Sequence, residues 1–217
     1  MGSKQRQFQA IMEMAGHVER NDPRGLVELV RLCAATILGD FLSWRIRSRA
    51  GKARNGTQSD FLFLPLGTKI DNTGRTLDQL CQDTGERPRI RLGKDIVLPW
   101  PWNRFRLARS LGLIGVGRKW HKWTCHPENH YVELWRPLGI TWALNGNHSI
   151  TAGIIRCEGV LRPNVVRNIA PIYKYVHCDG MWFFRTADGV KLSPVNSPMF
   201  AGIFEIGRIM TRHNICV

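Results

Sequence analysis

The stretch "ALNGNHSITAGII", residues 143–155, joins an apolar strand-like run to a helix-like run of small and apolar residues. The residues between the two runs are polar or flexible, and they are more numerous than a plain turn and a helix cap require. Gly146 can adopt a positive φ and lets a ligand approach the backbone closely. Ser149 is predicted to be the N-cap of the helix, and His148 can donate a hydrogen bond, act as a base or bind a metal. The stretch therefore predicts either a capped turn or a loop that holds a phosphate at a helix N-terminus.

The composition points to the class of partner. The chain has 217 residues, enough for one large or two small domains, and its 43% hydrophobic and 22% charged content is typical of a globular protein. Its 31 Lys and Arg residues against 17 Asp and Glu residues give a formal net charge of +14 and a pI near 10.2. Such a charge favours nucleic acid, nucleotides or an anionic surface as partners. The alternative is a protein that is basic without binding any of these.

Cysteine usage and hydropathy bear on location. The six cysteines form no C-x-x-C pair and no secretory signal is visible, which predicts reduced thiols in a cytosolic protein. The most apolar helical run, residues 26–44, contains Glu28, Arg31 and Asp40. A bilayer centre tolerates such charges poorly, so this run is predicted to be a helix that does not span a membrane.

The N-terminal part predicts helices. A short helix is predicted over residues 4–18, and a longer one starts with Asp22 as N-cap and Pro23 at the first helical position. The longer helix ends in a basic run, Arg45 to Arg54, which either complements the helix dipole or contacts phosphates. Residues 51–60 are predicted to be an exposed linker.

The remainder predicts a mixed α/β (α+β) chain. Strands are predicted at 61–67, 89–100, 130–135 and 139–146, and helices at 76–83, 103–115 and 149–159. Asp-Gly pairs at 179–180 and 188–189 predict a C-terminal β-hairpin or meander. The last apolar run, residues 197–213, is compatible with either a helix or a strand.

Two segments carry a family resemblance. "VLPWPWNRFRLARSLGLIG", residues 97–115, and "NGNHSITAG", residues 145–153, follow one another as strand, helix, strands and a Gly-x-His loop opening a helix. This order resembles the ParB/sulfiredoxin superfamily, over roughly residues 88–160. The resemblance implies a helical N-terminal extension, residues 1–60, and a ParB/sulfiredoxin-like mixed-sheet domain, residues 61–217.

The resemblance also implies site residues. In that superfamily the loop holds nucleotide phosphates, which implies phosphate-binding roles for Asn145, Gly146, Ser149 and the nearby Arg104. Two positions depart from the family pattern. Asn147 stands where sulfiredoxins have a catalytic Cys, so sulfinic-acid repair is not expected, and Ser149 stands where the family has Arg, which removes a bidentate phosphate clamp. Arg104, Arg106 or Arg156 could supply the missing charge.

Within the superfamily the chain most resembles plasmid fertility-inhibition factors of the oncogenic-suppression type. The resemblance implies ATP-linked DNA cleavage as the activity, with ATP and a divalent metal such as Mg²⁺ as cofactors. The implied partners are single- or double-stranded DNA and the coupling protein or relaxase–DNA complex of a type IV secretion system. The implied location is cytoplasmic, with peripheral association at the inner membrane as an alternative. A non-catalytic inhibitor that binds DNA or the coupling protein is the alternative function.

The expected catalytic residues are His148, Asn147 and Glu133. Tyr131, Glu133 and Trp135 alternate along a predicted strand and share one of its faces. A carboxylate between aromatic residues is either an edge residue or a site residue with a perturbed pKa. If Glu133 lies in the site, it would activate water or a metal, with His130 or His148 as its candidate partner.

Basic and aromatic residues interleave around these segments. Cations bind phosphates and exposed aromatic rings stack on bases, a combination that suits single-stranded DNA. The cations predicted to contact DNA are Arg87, Arg89, Arg106, Arg118, Lys119 and Lys122. Four tryptophans lie among them, at positions 100, 102, 120 and 123, and at least one of the first two is expected in the core. The histidines and cysteine of residues 121–130 have no paired zinc spacing, so no metal ligands are assigned.

Overall fold

A computed structural model describes residues 2–48 and 63–217. The predicted linker, residues 51–60, lies outside the described residues. Residues 63–67, the described part of the first predicted strand, form bends and a turn closed by a hydrogen bond from Thr68 N–H to the Pro65 carbonyl. That strand prediction is wrong for these residues. Pro65 has no N–H for a sheet ladder, and the chain turns there while Phe63 and Leu64 enter the core.

The first N-terminal helix is longer than predicted, and the second begins later than predicted. Helix α1 spans Ser3–Asn21 and helix α2 spans Leu26–Arg47, with a 3₁₀ turn at Pro23–Gly25 between them. Asp22 accepts a hydrogen bond from Arg24 N–H and so caps that turn, as its Asp-Pro sequence predicts. Both helices bury apolar residues in the core that also contains the central sheet, so they pack onto the remainder of the chain.

The other elements are short. The helices are α3 (Leu77–Leu80), α4 (Arg104–Leu113), α5 (Asn147–Ile155) and α6 (Pro198–Arg212). The strands are β1 (Ile90–Arg91), β2 (Ile96–Leu98), β3 (Val132–Arg136), β4 (Ile140–Ala143), β5 (Val160–Leu161), β6 (Val165–Asn168), β7 (Val176–Cys178), β8 (Trp182–Arg185) and β9 (Lys191–Pro194). A further 3₁₀ turn spans Ala170–Lys174. The molecule is therefore a mixed α+β protein, as the sequence predicts.

The central sheet is mixed and separates two cores. Its strand order is β2-β4-β3-β6, in which β2 is parallel to β4, β4 antiparallel to β3, and β3 parallel to β6. Successive residues of a strand point to opposite faces, and both faces are covered. Trp135 and Trp142 belong to the large core with α1, α2 and α6, whereas Val132 and Leu134 belong to a smaller core that includes Ile150 of α5.

The single strand predicted over residues 89–100 is two strands, β1 and β2. Gly93, at a φ of 80°, turns the chain between them, and its Cα lies so close to Cys157 that a side chain would not fit. β1 then pairs with β5 in a separate two-stranded sheet. Local alternation could not reveal this break because apolar residues continue on both sides of it.

The C-terminal part confirms the predicted meander and resolves the last segment. Strands β7, β8 and β9 form an antiparallel three-stranded sheet. Helix α6 follows, capped by Ser197 with Pro198 at its first position. Gly202 of α6 lies against Ile11 of α1, and Gly207 lies against Tyr173, so these glycines permit close packing. Within residues 2–48 and 63–217, no helix combines the length and apolar character needed to cross a bilayer.

Candidate functional site

The loop before α5 is built around a backbone conformation that favours glycine. Gly146 has a φ of 76°, and a Cβ at this position would collide with the ring of His130. The Gly146 carbonyl accepts hydrogen bonds from Ile150 N–H and from the Ser149 hydroxyl. The helix therefore begins at Asn147, and the prediction that Ser149 is its N-cap is wrong. Ser149 lies inside the first turn because Gly146 already provides the first helical acceptor.

A cavity of about 760 Å³ opens beside this first turn. Its walls come from α4, from the segment between α4 and β3, and from the loop 145–149. Three cationic side chains line it: Arg106 and Arg109 from α4, and Lys122. Among the described residues that line this cavity, none is acidic. We call it the basic pocket.

The first turn of α5 offers hydrogen-bond donors to the basic pocket. In any helix the first N–H groups lack intrahelical acceptors, and they form the positive end of the dipole. Here Asn147, His148 and Ser149 line the cavity, and in the described part of the chain their backbone N–H groups have no acceptor. Backbone donors and three cations thus converge where negative charge would be stabilised.

Two asparagines predicted as site residues stabilise the loop. The Asn147 side-chain oxygen accepts a hydrogen bond of 2.7 Å from Trp100 N–H, which ties the chain after β2 to the start of α5. The Asn145 side-chain oxygen accepts one of 2.9 Å from Gly146 N–H. Both residues line the basic pocket, but these oxygens already have protein donors. Asn147 is thus suited to positioning the helix N-terminus.

His148 is held in one tautomer. Its Nε2 accepts a hydrogen bond from Asn103 N–H at 3.2 Å, so in the neutral ring the proton lies on Nδ1. Burial lowers the pKa of His148, and the positive charges of Arg106 and Arg45 lower it further. A neutral His148 with Nδ1–H is a hydrogen-bond donor. Its Nε2 is not available as a general base while this bond is present.

His130 and Ser149 form a pair that resembles a catalytic dyad but has the wrong proton arrangement. His130 Nε2 and the Ser149 hydroxyl oxygen are 2.7 Å apart. His130 Nδ1 accepts from His126 N–H, so Nε2 carries the proton and donates to Ser149, which donates to the Gly146 carbonyl. Burial lowers the pKa of His130 to about 4, which keeps the ring neutral. His130 therefore cannot accept the Ser149 proton, and the pair serves to hold the loop.

Glu133 lies away from the basic pocket. Its side chain shares a face of β3 with Trp135, as predicted, but this face packs on the large core. There it is paired with Arg167 at 3.0 Å, and both side chains are buried. The structure therefore does not bring Glu133 to His148, and its predicted partnership with that residue is corrected. The reason is the two-residue period of the strand, which places Val132 and Leu134, not Glu133, on the α5 side.

Arg104 is likewise outside the basic pocket. Its guanidinium donates to the carbonyl of Ser48, just after α2, and lies near the ring of Phe105. Arg156 binds Glu158 at 3.2 Å. Of the three arginines considered as replacements for the family's loop arginine, Arg106 is the one that lines the cavity.

The cations predicted to contact DNA divide into two groups. Arg106 and Lys122 line the basic pocket. Arg118 and Lys119 belong to the same α4–β3 segment but do not line it, and Arg89 is exposed in another segment before β1. Arg87, the last of the six, forms an ion pair with Asp83. The pocket is therefore a smaller cationic surface than the predicted one.

The structure adds residues that the motif did not select. Arg109, His121 and His126 line the basic pocket. Arg109 lies three residues after Arg106, a helical spacing that puts both on one side of α4. Glu158 holds the wall that carries Lys122, because its carboxylate accepts from Trp123 N–H at 2.7 Å. This hydrogen bond from the backbone of Trp123 lowers the pKa of Glu158.

The fold and the basic pocket define an α+β protein with a polar cavity that is suited to anions. The chain belongs to a family of unknown function, DUF6710, whose model matches residues 2–217. Comparison with curated proteins and with solved structures found no match to this chain in either set.

Proposed function

We propose that the protein binds the phosphate groups of a nucleotide or of a nucleic acid in the basic pocket. The observation that carries this proposal is the convergence of free N–H groups from the first turn of α5 with Arg106, Arg109 and Lys122. Charged donors and helix N-termini stabilise phosphate oxygens. Because no acidic side chain is among the described lining residues, little in the wall would repel the ligand.

The lining residues fit ATP better than they fit a metal ion. The donors suit a triphosphate, and the cavity volume of about 760 Å³ is in the usual range for small-molecule sites. Mg²⁺ prefers carboxylate oxygens, and the described lining residues provide none. In the described ranges, no three His, Cys, Asp or Glu side chains are grouped so as to hold a metal ion. The residues therefore do not fit a protein-held Mg²⁺.

The biological setting that we propose is inhibition of plasmid transfer. The protein would have a ParB/sulfiredoxin-like fold and would bind DNA, or the coupling protein or relaxase–DNA complex of a type IV secretion system. Support comes from the two segments that carry the resemblance, which are in direct contact through Trp100 with Asn147 and Asn103 with His148. We favour the non-catalytic form, because Glu133 and the Nε2 of His148 are engaged elsewhere.

Hydrolysis of ATP and cleavage of DNA in the same pocket is a second candidate. The observation that favours it is that the rings of His121 and His126 line the cavity without a hydrogen-bond partner among the described residues. An imidazole ring that faces a cavity can act as a general acid or base toward a bound ligand. If turnover exists, His121→Ala and His126→Ala should reduce it more than Glu133→Gln does in the folded protein.

Binding of labelled DNA and of ATP at several salt concentrations tests the proposal. The variant Arg106→Gln/Arg109→Gln should bind both ligands at least about tenfold more weakly, because it loses two charged donors. The matched control is Lys4→Gln/Arg6→Gln on α1, which removes the same charge from an exposed surface and should stay within about twofold. Equal losses in the two double variants would overturn the proposal, since binding would then follow net charge alone.

A further inference from the structure

Two tryptophans at the basic pocket are exposed, unlike the other six in the chain. The side chains of Trp102 and Trp120 are 57% and 41% exposed, and both line the cavity. Each of the remaining tryptophans is buried or half-buried. Leaving two large aromatic side chains in water forgoes a substantial hydrophobic gain, which is typical of residues that contact a ligand.

An arginine from α4 lies over each of these rings. The Arg106 guanidinium is 4.8 Å from the ring centre of Trp102, and that of Arg109 is 4.8 Å from the ring centre of Trp120. The two arginines are three residues apart, so the two Arg–Trp pairs lie along one side of α4. Each pair combines an aromatic platform for a base with a cation for the phosphate attached to that base.

One pair adjoins the anion-binding turn of α5. The Trp102 ring packs edge-on against the ring of His148, with centres 5.4 Å apart. His148 belongs to the first turn of α5, which lines the basic pocket and whose N–H groups are the proposed donors to a phosphate. A base on Trp102 would therefore lie next to the phosphate that this turn binds.

We infer that the basic pocket takes single-stranded nucleic acid, with two bases stacked on Trp102 and Trp120 and the linking phosphates held by Arg106, Arg109 and the first turn of α5. This inference rests on the proposed function, since it assumes that phosphates bind there. A duplex does not satisfy it, because paired bases are stacked on each other and cannot reach a protein aromatic ring.

The test compares ligands that differ only in their bases. A labelled oligothymidylate decamer should bind the wild-type protein about 100-fold more tightly than an abasic decamer of equal phosphate number, because two stacked bases contribute about tenfold each, and more tightly than a duplex of equal length. Trp102→Leu and Trp120→Leu should each weaken decamer binding about tenfold and leave abasic binding within about twofold. Trp102→Tyr should restore most of the affinity because a stacking ring remains.

Trp182→Leu is the matched control. Lys191 lies 4.8 Å from the Trp182 ring centre, so this position is also an aromatic–cation pair, but it belongs to the meander and does not line the pocket. Its loss should not change decamer binding. If the abasic or duplex ligand binds as well as the decamer, the inference is overturned while phosphate binding stands. If none of the three ligands binds, the inference is overturned, and the proposed function fails as well if the wild-type protein does not bind ATP either. These wild-type comparisons decide both points even if a variant does not fold.

Discussion

The polar groups near the two faces of the central sheet have different environments. On the face toward α2 and α6, Trp135 and Trp142 pack with ring centres 5.6 Å apart, and Phe200 of α6 stacks on Trp142. The one carboxylate of β3, Glu133, is neutralised there by Arg167. On the face toward α5 the core is smaller, and its strand residues include Val132, Leu134 and Ala143. The basic pocket opens at the edge of this core.

This difference indicates where a ligand can act. On the first face the buried charges of Glu133 and Arg167 are paired with each other, so they contribute to structure and have no capacity left for a substrate. At the second face, backbone N–H groups and guanidinium groups remain available to solvent. A carboxylate on a strand is therefore a weaker indicator of a site than a set of unpaired donors at a helix N-terminus.

Removing the carboxylate of Glu133 should have the largest effect on stability. Glu133→Gln removes the buried charge partner of Arg167 and leaves it with the more exposed Asp78, 2.8 Å away, so we expect a loss of about 3 kcal/mol in the free energy of unfolding, at the low end for a buried pair. Urea denaturation measures this loss. Asp188→Asn breaks an exposed pair with Arg185 and should cost less than about 1 kcal/mol. Normal stability of Glu133→Gln together with lost turnover would instead make Glu133 catalytic.

Acidification should destabilise the protein through His130. Its pKa is about 4 in the folded chain and about 6.5 when unfolded, so the unfolded state binds the proton first as the pH falls. Stability is then lost between about pH 6.5 and pH 4, by roughly 3 kcal/mol at most. Burial lowers the pKa of His148 too, so it adds to the loss in the same direction.

Denaturation at a series of pH values tests this prediction. His130→Asn should flatten the pH dependence above about pH 4.5, where carboxylates contribute little. An unaltered slope in His130→Asn would show that another group is responsible.

Substitution of Gly146 tests the loop. Gly146→Ala strains the left-handed backbone and pushes a Cβ into the His130 ring, so we expect about 2 kcal/mol of destabilisation and weaker phosphate binding. Gly189 has a φ of 69° but no close neighbour, so Gly189→Ala should cost about 1 kcal/mol and leave binding intact. Thermal unfolding and ligand affinity distinguish the two. Equal effects in both assays would mean that the contact with His130 is unimportant.

Arg104 should show the smallest effect. Because its guanidinium bonds to Ser48 and does not line the basic pocket, Arg104→Gln should change DNA and ATP affinity by less than about twofold. Binding titrations beside Arg106→Gln measure the difference. A loss in Arg104→Gln as large as in Arg106→Gln would place the ligand nearer to α2.

Local patterns were sufficient for most of the helices and for the meander, but they left residues 197–213, which form α6, open between helix and strand. Asp22 and Asn103 cap the elements that they were predicted to begin, because capping depends on a few neighbouring residues. The start of α5 was displaced from Ser149 to Asn147 because the positive φ of Gly146 brings its carbonyl into the first helical bond. Such a backbone choice depends on the neighbouring His130, which lies sixteen residues earlier.

The composition of the pocket depended on tertiary packing. Period-two alternation correctly grouped Glu133 with Trp135, but which face of β3 meets α5 is decided by how the helices pack on the sheet. For the same reason Arg109, His121 and His126 could not be assigned to the pocket from sequence. Trp100 is buried and Trp102 is exposed, which confirms that one of this pair lies in the core without the sequence showing which.

Titration of ¹⁵N-labelled protein with ATP, followed by amide chemical shifts, tests the central claim most directly. We predict that the backbone amides of Asn147, His148 and Ser149 shift saturably, together with the side-chain signals of Arg106 and Arg109. The amides of α1, on the exposed helix that carries Lys4 and Arg6, should not shift. Saturable shifts confined to other surfaces, with the first turn of α5 unchanged, would contradict the claim that this turn binds phosphate.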